Sequence, residues 1–143
     1  MKGSDLFLSG HEASFELRID FDRIGSTEDD VQWLTCHCSC TVEPFHAEFP
    51  LSVTRQDFEQ FQAQLSRLSS GEATEIELEN LELDFRLNLA VRPTGAVTVS
   101  GKLTPGYTRT RATLEFAFDS DLASVDSATR RIGAALASLK RLA

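Results

Sequence analysis

Several things this chain lacks set its first bounds. Nowhere in its 143 residues do apolar side chains run to the roughly 20 in succession that a membrane-crossing helix needs. Met1-Lys-Gly-Ser-Asp5 leads into only a few apolar residues, which predicts no signal peptide. Cysteine is scarce. The three present, Cys36, Cys38 and Cys40, crowd one short stretch and have no distant partners, so a disulfide framework is excluded and a reducing, cytoplasmic setting is expected. Basic residues are outnumbered, 14 Lys and Arg against 22 Asp and Glu, which gives a formal net charge of −8 and a pI near 4.8. A nucleic-acid binder needs a basic stripe and an anionic lipid surface needs basic clusters; neither is visible, so no nucleic acid and no membrane are expected as partners. An acidic chain of this kind attracts, if anything, a basic protein. No Gly-x-Gly-x-x-Gly or P-loop cradle, no Gly-x-Ser-x-Gly elbow, no EF-hand spacing and no Cys-x-x-Cys knuckle occurs. With no motif for catalysis, for a cofactor or for a metal, the expected protein is not an enzyme.

What is present is globular. Hydrophobic residues make up 41% and charged residues 25%, and the length suits a single domain over residues 1–143. A short edge strand is expected around Leu6-Phe7-Leu8. In the next run Phe15, Leu17, Ile19 and Phe21 alternate with Glu16, Arg18 and Asp20, the period of a strand with one dry and one wet face. The polar segment Asp22–Asp30 reads as a loop.

Val31–Val42 is the pivotal stretch. It holds the only tryptophan, all three cysteines and one of three histidines. If it forms a hairpin with Phe45–Val53 about Glu43-Pro44, through a two- or four-residue loop, the pairs become Val42–Phe45, Cys40–Ala47, Cys38–Phe49, Cys36–Leu51 and Leu34–Val53. All of these are apolar or cysteine and share one face. Pro50, with no ladder donor, places its strand at an edge or a bulge. On a strand, residues two apart point in parallel about 6.5 Å from one another, so the cysteines cannot converge on a metal and are read as core. Trp33, His37 and His46 fall on the opposite face, His37 across from Pro50 and His46 across from Thr41, which sets the imidazoles well apart. A small-molecule site on that face is the least favoured alternative.

A helix follows, opened by Thr54 with Asp57 three residues on and closed by Gly71, with Phe58, Phe61, Leu65 and Leu68 on its inner stripe. In the second half the apolar phase shifts between Ile76-x-Leu78 and Leu81-x-Leu83. Either a bulge or a two-residue turn at Glu79-Asn80 explains the shift, and the turn is preferred. That register sets Glu77 opposite Glu82 and Glu75 opposite Asp84, four acids on one wet face. They are either a solvated face that blocks edge pairing or a docking patch for a basic partner. Strands over Ala96–Leu103 and Arg109–Phe118 and a final helix with Val125, Ala128, Ile132, Leu136 and Leu139 on its stripe complete the order strands, helix, strands, helix. The expected fold is α+β: a single twisted antiparallel sheet of about seven to eight strands carrying two helices.

Trp33-Leu34 before an alternating strand, Asp57-Phe58 and Phe61-Gln-Ala-Gln-Leu65 in a short helix, Gly71, Glu79-Asn-Leu-Glu-Leu83, the Gly95 turn and Phe116-Ala-Phe-Asp119 ahead of a last helix together resemble the WapI-type family of bacterial immunity proteins. The resemblance runs from about residue 13 onward. It implies a cytoplasmic, non-enzymatic inhibitor that binds the toxic domain of a polymorphic toxin, and it offers no catalytic residues to carry over. It places no partner-contacting residue in this sequence; the partner-binding residues expected, Glu75, Glu77, Glu82 and Asp84, follow from the acidic hairpin register alone. The alternative is a structural or regulatory interaction module without a toxin, as a monomer or as a homodimer through an exposed sheet edge.

Overall fold

The computed structural model describes residues 4–28, 31–106 and 111–142. The alternating runs become strands. β1 (Leu6–Gly10) and β2 (Ala13–Glu28) turn on His11-Glu12, and β3 (Val31–Val42) and β4 (Phe45–Thr54) turn on Glu43-Pro44, whose peptide bond is cis. These four form one antiparallel sheet in the order β1-β2-β3-β4. The register of β3 on β4 is the one the apolar sorting demands: Val42↔Phe45, Cys40↔Ala47, Cys38↔Phe49, Cys36↔Leu51 and Leu34↔Val53. Pro50 duly lies on an edge strand, where its missing donor breaks no ladder.

Asp22–Asp30 is not the expected loop. β2 continues to Glu28 and pairs with the start of β3 (Ile24↔Leu34, Thr27↔Gln32, Glu28↔Val31), with register shifts after Ile19 and after Ile24. Extra residues on one strand break the two-residue period, so the strand carries no alternation to read. Residues 29–30 lie outside the described chain.

α1 (Arg55–Ser70) begins with a full capping box: the Asp57 amide donates to Thr54 Oγ1 and the Thr54 amide to Asp57 Oδ2, both at 3.0 Å. It ends at Gly71, whose φ of 86° is the left-handed cap. Phe58, Phe61, Leu65 and Leu68 are buried along one side, as their spacing requires.

The second half builds a separate sheet in the order β5-β6-β7-β8, from β5 (Glu75–Glu79), β6 (Phe85–Val91), β7 (Ala96–Leu103) and β8 (Leu114–Asp121). The expected start of the last strand at Arg109–Thr110 lies outside the described residues. α2 (Leu122–Leu142) follows, with Val125, Ala128, Ile132, Ala135 and Leu139 fully or almost fully buried and Leu136 only partly so. One expectation is corrected here: there are two four-stranded sheets, not one. α1 carries the chain away from β4, and β5 pairs with no strand of the first sheet. The sheets share one core. The ring of Phe15 on β2 lies 5.5 Å from that of Phe85 on β6, and Phe61 of α1 lies 5.7 Å from the same ring. Along one side β1 meets β8, where Ser120 Oγ donates to the Ser9 carbonyl at 2.6 Å, and α1 packs on α2.

Candidate protein-binding surface

The cysteines are settled by burial. Cys36, Cys38 and Cys40 are free thiols with at most 1% of their surface exposed. Burial pushes all three thiols up, Cys40 to about 11, so none is a thiolate at neutral pH. Among the described residues no group of three or more His, Cys, Asp or Glu side chains is placed to hold a metal ion.

On the outer face of β3 and β4 the histidines are not isolated from each other. Glu48, opposite Ser39, lies between them: its Oε1 is 3.4 Å from His37 Nε2 and its Oε2 is 3.7 Å from His46 Nε2. Thr41 Oγ1 meets His46 Nδ1 at 2.7 Å. The hydrogen bond from His37, with the charges of both imidazoles, holds the Glu48 carboxyl below its usual range. The strand separation of the histidines is as expected, but a diagonal neighbour joins them. Trp33 is half-buried on the same face, across from Thr54. Three surface depressions, of about 370, 310 and 180 Å³, lie elsewhere; none is lined by Trp33, His37 or His46.

The acidic strands differ from expectation in register. β5 pairs with β6 as Glu75↔Ala90, Glu77↔Asn88 and Glu79↔Arg86, so Glu77 does not face Glu82 and Glu75 does not face Asp84. The turn is five residues long, Asn80–Asp84, and the phase shift in the sequence marks its apex, not a two-residue hairpin. Across the ladder the carboxylates find partners of another kind. Glu75 Oε1 accepts from Asn88 Nδ2 at 2.9 Å, while Arg86 bridges Glu77 and Glu79 at 3.0 Å each. This removes the like-charge cost of the expected pairing, and one guanidinium among three carboxylates leaves the edge acidic.

Asp84 is not a surface acid. It is 9% exposed. Its Oδ1 accepts from the Gly106 amide and its Oδ2 from Asn80 Nδ2, both at 3.0 Å. Asn80, 1% exposed, is the post of the turn. Its Oδ1 takes the amides of Asp84 (2.8 Å) and Phe85 (3.3 Å), and its Nδ2 also donates to the Ser52 carbonyl on β4 at 3.1 Å. The Leu81 amide donates to Asp57 Oδ2 at 3.3 Å, which ties the turn to the start of α1. From this scaffold Leu81 (64% exposed), Glu82 and Leu83 (51%) project outward. The apolar alternation of Leu81, Leu83 and Phe85 predicts a strand through both leucines, and only the phase break at Glu79-Asn80 signals otherwise.

Two antiparallel four-stranded sheets with two helices around a common core define a small α+β protein with a charged, strand-borne surface. Residues 6–140 match the Immunity protein WapI-like family, and the chain belongs to that family. No curated protein matches it. Among solved structures it is similar to MRP1/MRP2 of Trypanosoma bruciei (15% identity, TM-score 0.46, covering 90% of this chain and 76% of that one). It is similar also to a guide-RNA-binding protein complex bound to a guide RNA (14% identity, TM-score 0.46, covering 90% and 81%). No helix among the described residues is long and apolar enough to cross a membrane.

Proposed function

We propose that this protein is a cytoplasmic immunity protein that neutralises the toxic domain of a polymorphic toxin by binding it, with no chemistry of its own. Membership of the immunity family carries this reading. The net charge of −8 and the acidic edge of β5 favour a basic toxin domain, whose approach they would accelerate. In this reading Glu75, Glu77 and Glu82 meet the partner, and Asp84 acts one step back by holding the turn in shape.

The test is coexpression. A bacterium producing the toxin domain encoded beside this chain's own reading frame should survive when the wild-type chain is present and the two should copurify. Continued killing at equal expression would defeat the immunity reading. Reversing Glu75, Glu77 and Glu82 to lysine should slow association about tenfold or more at low salt and flatten its salt dependence. An unchanged association rate would remove the acidic edge from the interface.

A further inference from the structure

The described surface leaves three large hydrophobic side chains widely exposed, and two of them, Leu81 and Leu83, sit on the same five-residue turn. A polar turn would serve the fold better, since nothing in the core needs either side chain. Leu83 also holds a φ of 59°, in the left-handed region that side-chain-bearing residues avoid and glycine enters freely. Such a conformation persists only where its surroundings enforce it. They do so here through a buried asparagine and a buried aspartate, both otherwise unfavourable to bury, which bond across the turn and to Ser52 and Gly106. Two exposed leucines are thus carried on a turn that buried hydrogen bonds hold in a strained conformation. That is the arrangement of an apolar anchor whose ordering cost has been met before binding.

The surroundings specify what the anchor meets. Glu82 stands between the leucines, and Glu79 comes directly before the turn. Beside it, between α1 and β5, runs a depression of about 180 Å³ lined by Asp57, Gln60, Phe61, Gln64, Glu77, Leu78 and Glu79, with room for a lysine or arginine side chain. We propose that the β5–β6 turn is the docking tip of this protein: Leu81 and Leu83 enter an apolar recess on a protein partner whose rim is basic, while Glu79 and Glu82 meet that rim. The partner's identity rests on the immunity reading above; the tip itself rests on the turn.

The experiment pairs Leu81→Ser with Leu83→Gly and uses, as probe, the inactivated C-terminal domain encoded by the neighbouring toxin reading frame. If the leucines are an anchor, the double variant melts at or near the wild-type temperature, because both side chains lie outside the core, the fold loses little packing, and the left-handed strain at Leu83 is relieved. It should bind the probe about 100-fold more weakly, almost all of it in the dissociation rate. A melting temperature lower by about 5 °C or more would show that the leucines hold the fold and overturn the proposal, with or without a probe. Binding by the double variant within about threefold of wild type would also overturn it and leave the immunity reading intact. Failure of the wild-type chain itself to bind the probe would instead defeat the immunity reading.

Discussion

Residue by residue, the strand that attracts attention in the sequence carries three cysteines that burial makes unreactive. Cys36, Cys38 and Cys40 point into the core in a row, and burial raises each thiol above the ordinary value of 9.0. The sign of the pH effect follows. Below pH 9 folded and unfolded chains both keep their thiols protonated, and the cysteines leave stability unchanged. Above it the unfolded chain ionises and the folded chain does not, so stability falls by up to about 1.4 kcal/mol per pH unit for each thiol. Denaturant titrations at pH 8 and pH 10 would measure this fall, which should shrink in Cys38→Ala. Native thiols should react with a disulfide reagent only as fast as the protein opens, and all at once in guanidinium. Glu48 makes the opposite case. Its carboxyl is held below the ordinary 4.5 chiefly by the hydrogen bond from His37 and then by the charge of His46, so its small contribution is present at neutral pH and lost as acid protonates it. NMR titration should find the Glu48 midpoint moving back up in His37→Ala, and by less in His46→Ala. The burial of the cysteines was legible because it depends only on register and apolar sorting. The link through Glu48 was not, because it runs diagonally across strands and depends on side-chain reach.

Among the elements, those with local signals formed as read. The Thr54–Asp57 box and Gly71 bound α1 because a cap is local chemistry between residues three apart; Thr54→Ala should cost about 1 kcal/mol in a denaturation experiment. β2 beyond Phe21 and the β5–β6 turn escape the sequence for a common reason: each departs from period two, the strongest sheet signal a single sequence carries. At β5–β6 the departure changes the candidate site. A two-residue turn would have lined up four carboxylates; the five-residue turn buries Asp84, gives Glu77 and Glu79 to Arg86, and turns two leucines outward. The turn depends on Asn80. Removing its amide in Asn80→Ala leaves the Asp84 and Phe85 amides and the Ser52 carbonyl without that partner. A buried unsatisfied group costs about 1–3 kcal/mol, so a loss of about 3 kcal/mol or more is expected. Asn80→Asp should recover part of it, because it keeps the acceptor but sets a second carboxylate against Asp84.

Taken whole, the molecule is two similar halves, each of four strands and a helix, that do not share a sheet and yet share a core. Nothing in the order of the elements announces this, since the same order suits one wide sheet; what decides it is the pairing, in which β5 takes β6 and no strand of the first sheet. The halves are joined by the Phe15, Phe61 and Phe85 cluster, by the packing of α1 on α2, and by the contact of β1 with β8. Gly10 tests that contact. A Cβ placed there would stand 2.1 Å from the Asp119 carbonyl oxygen and 3.0 Å from Phe118 Cδ2. The first neighbour is backbone in a paired strand and cannot swing aside as a side chain would, so Gly10→Ala must push β1 away from β8. Overpacking of this kind costs about 1–3 kcal/mol, or a melting temperature lower by about 3–9 °C for a chain of this size. How the loss is distributed is the informative part. If the shared core makes one cooperative unit, Trp33 fluorescence, which reports the first sheet, and far-UV circular dichroism, which weights both helices, should move together to the lower temperature. If the β1–β8 contact were the main bond between two independent halves, the variant would instead show two transitions, with Trp33 changing in only one. The aromatic cluster argues for the first outcome, because Phe85 is buried against rings from the other sheet and from α1 and could not stay dry if either half opened alone.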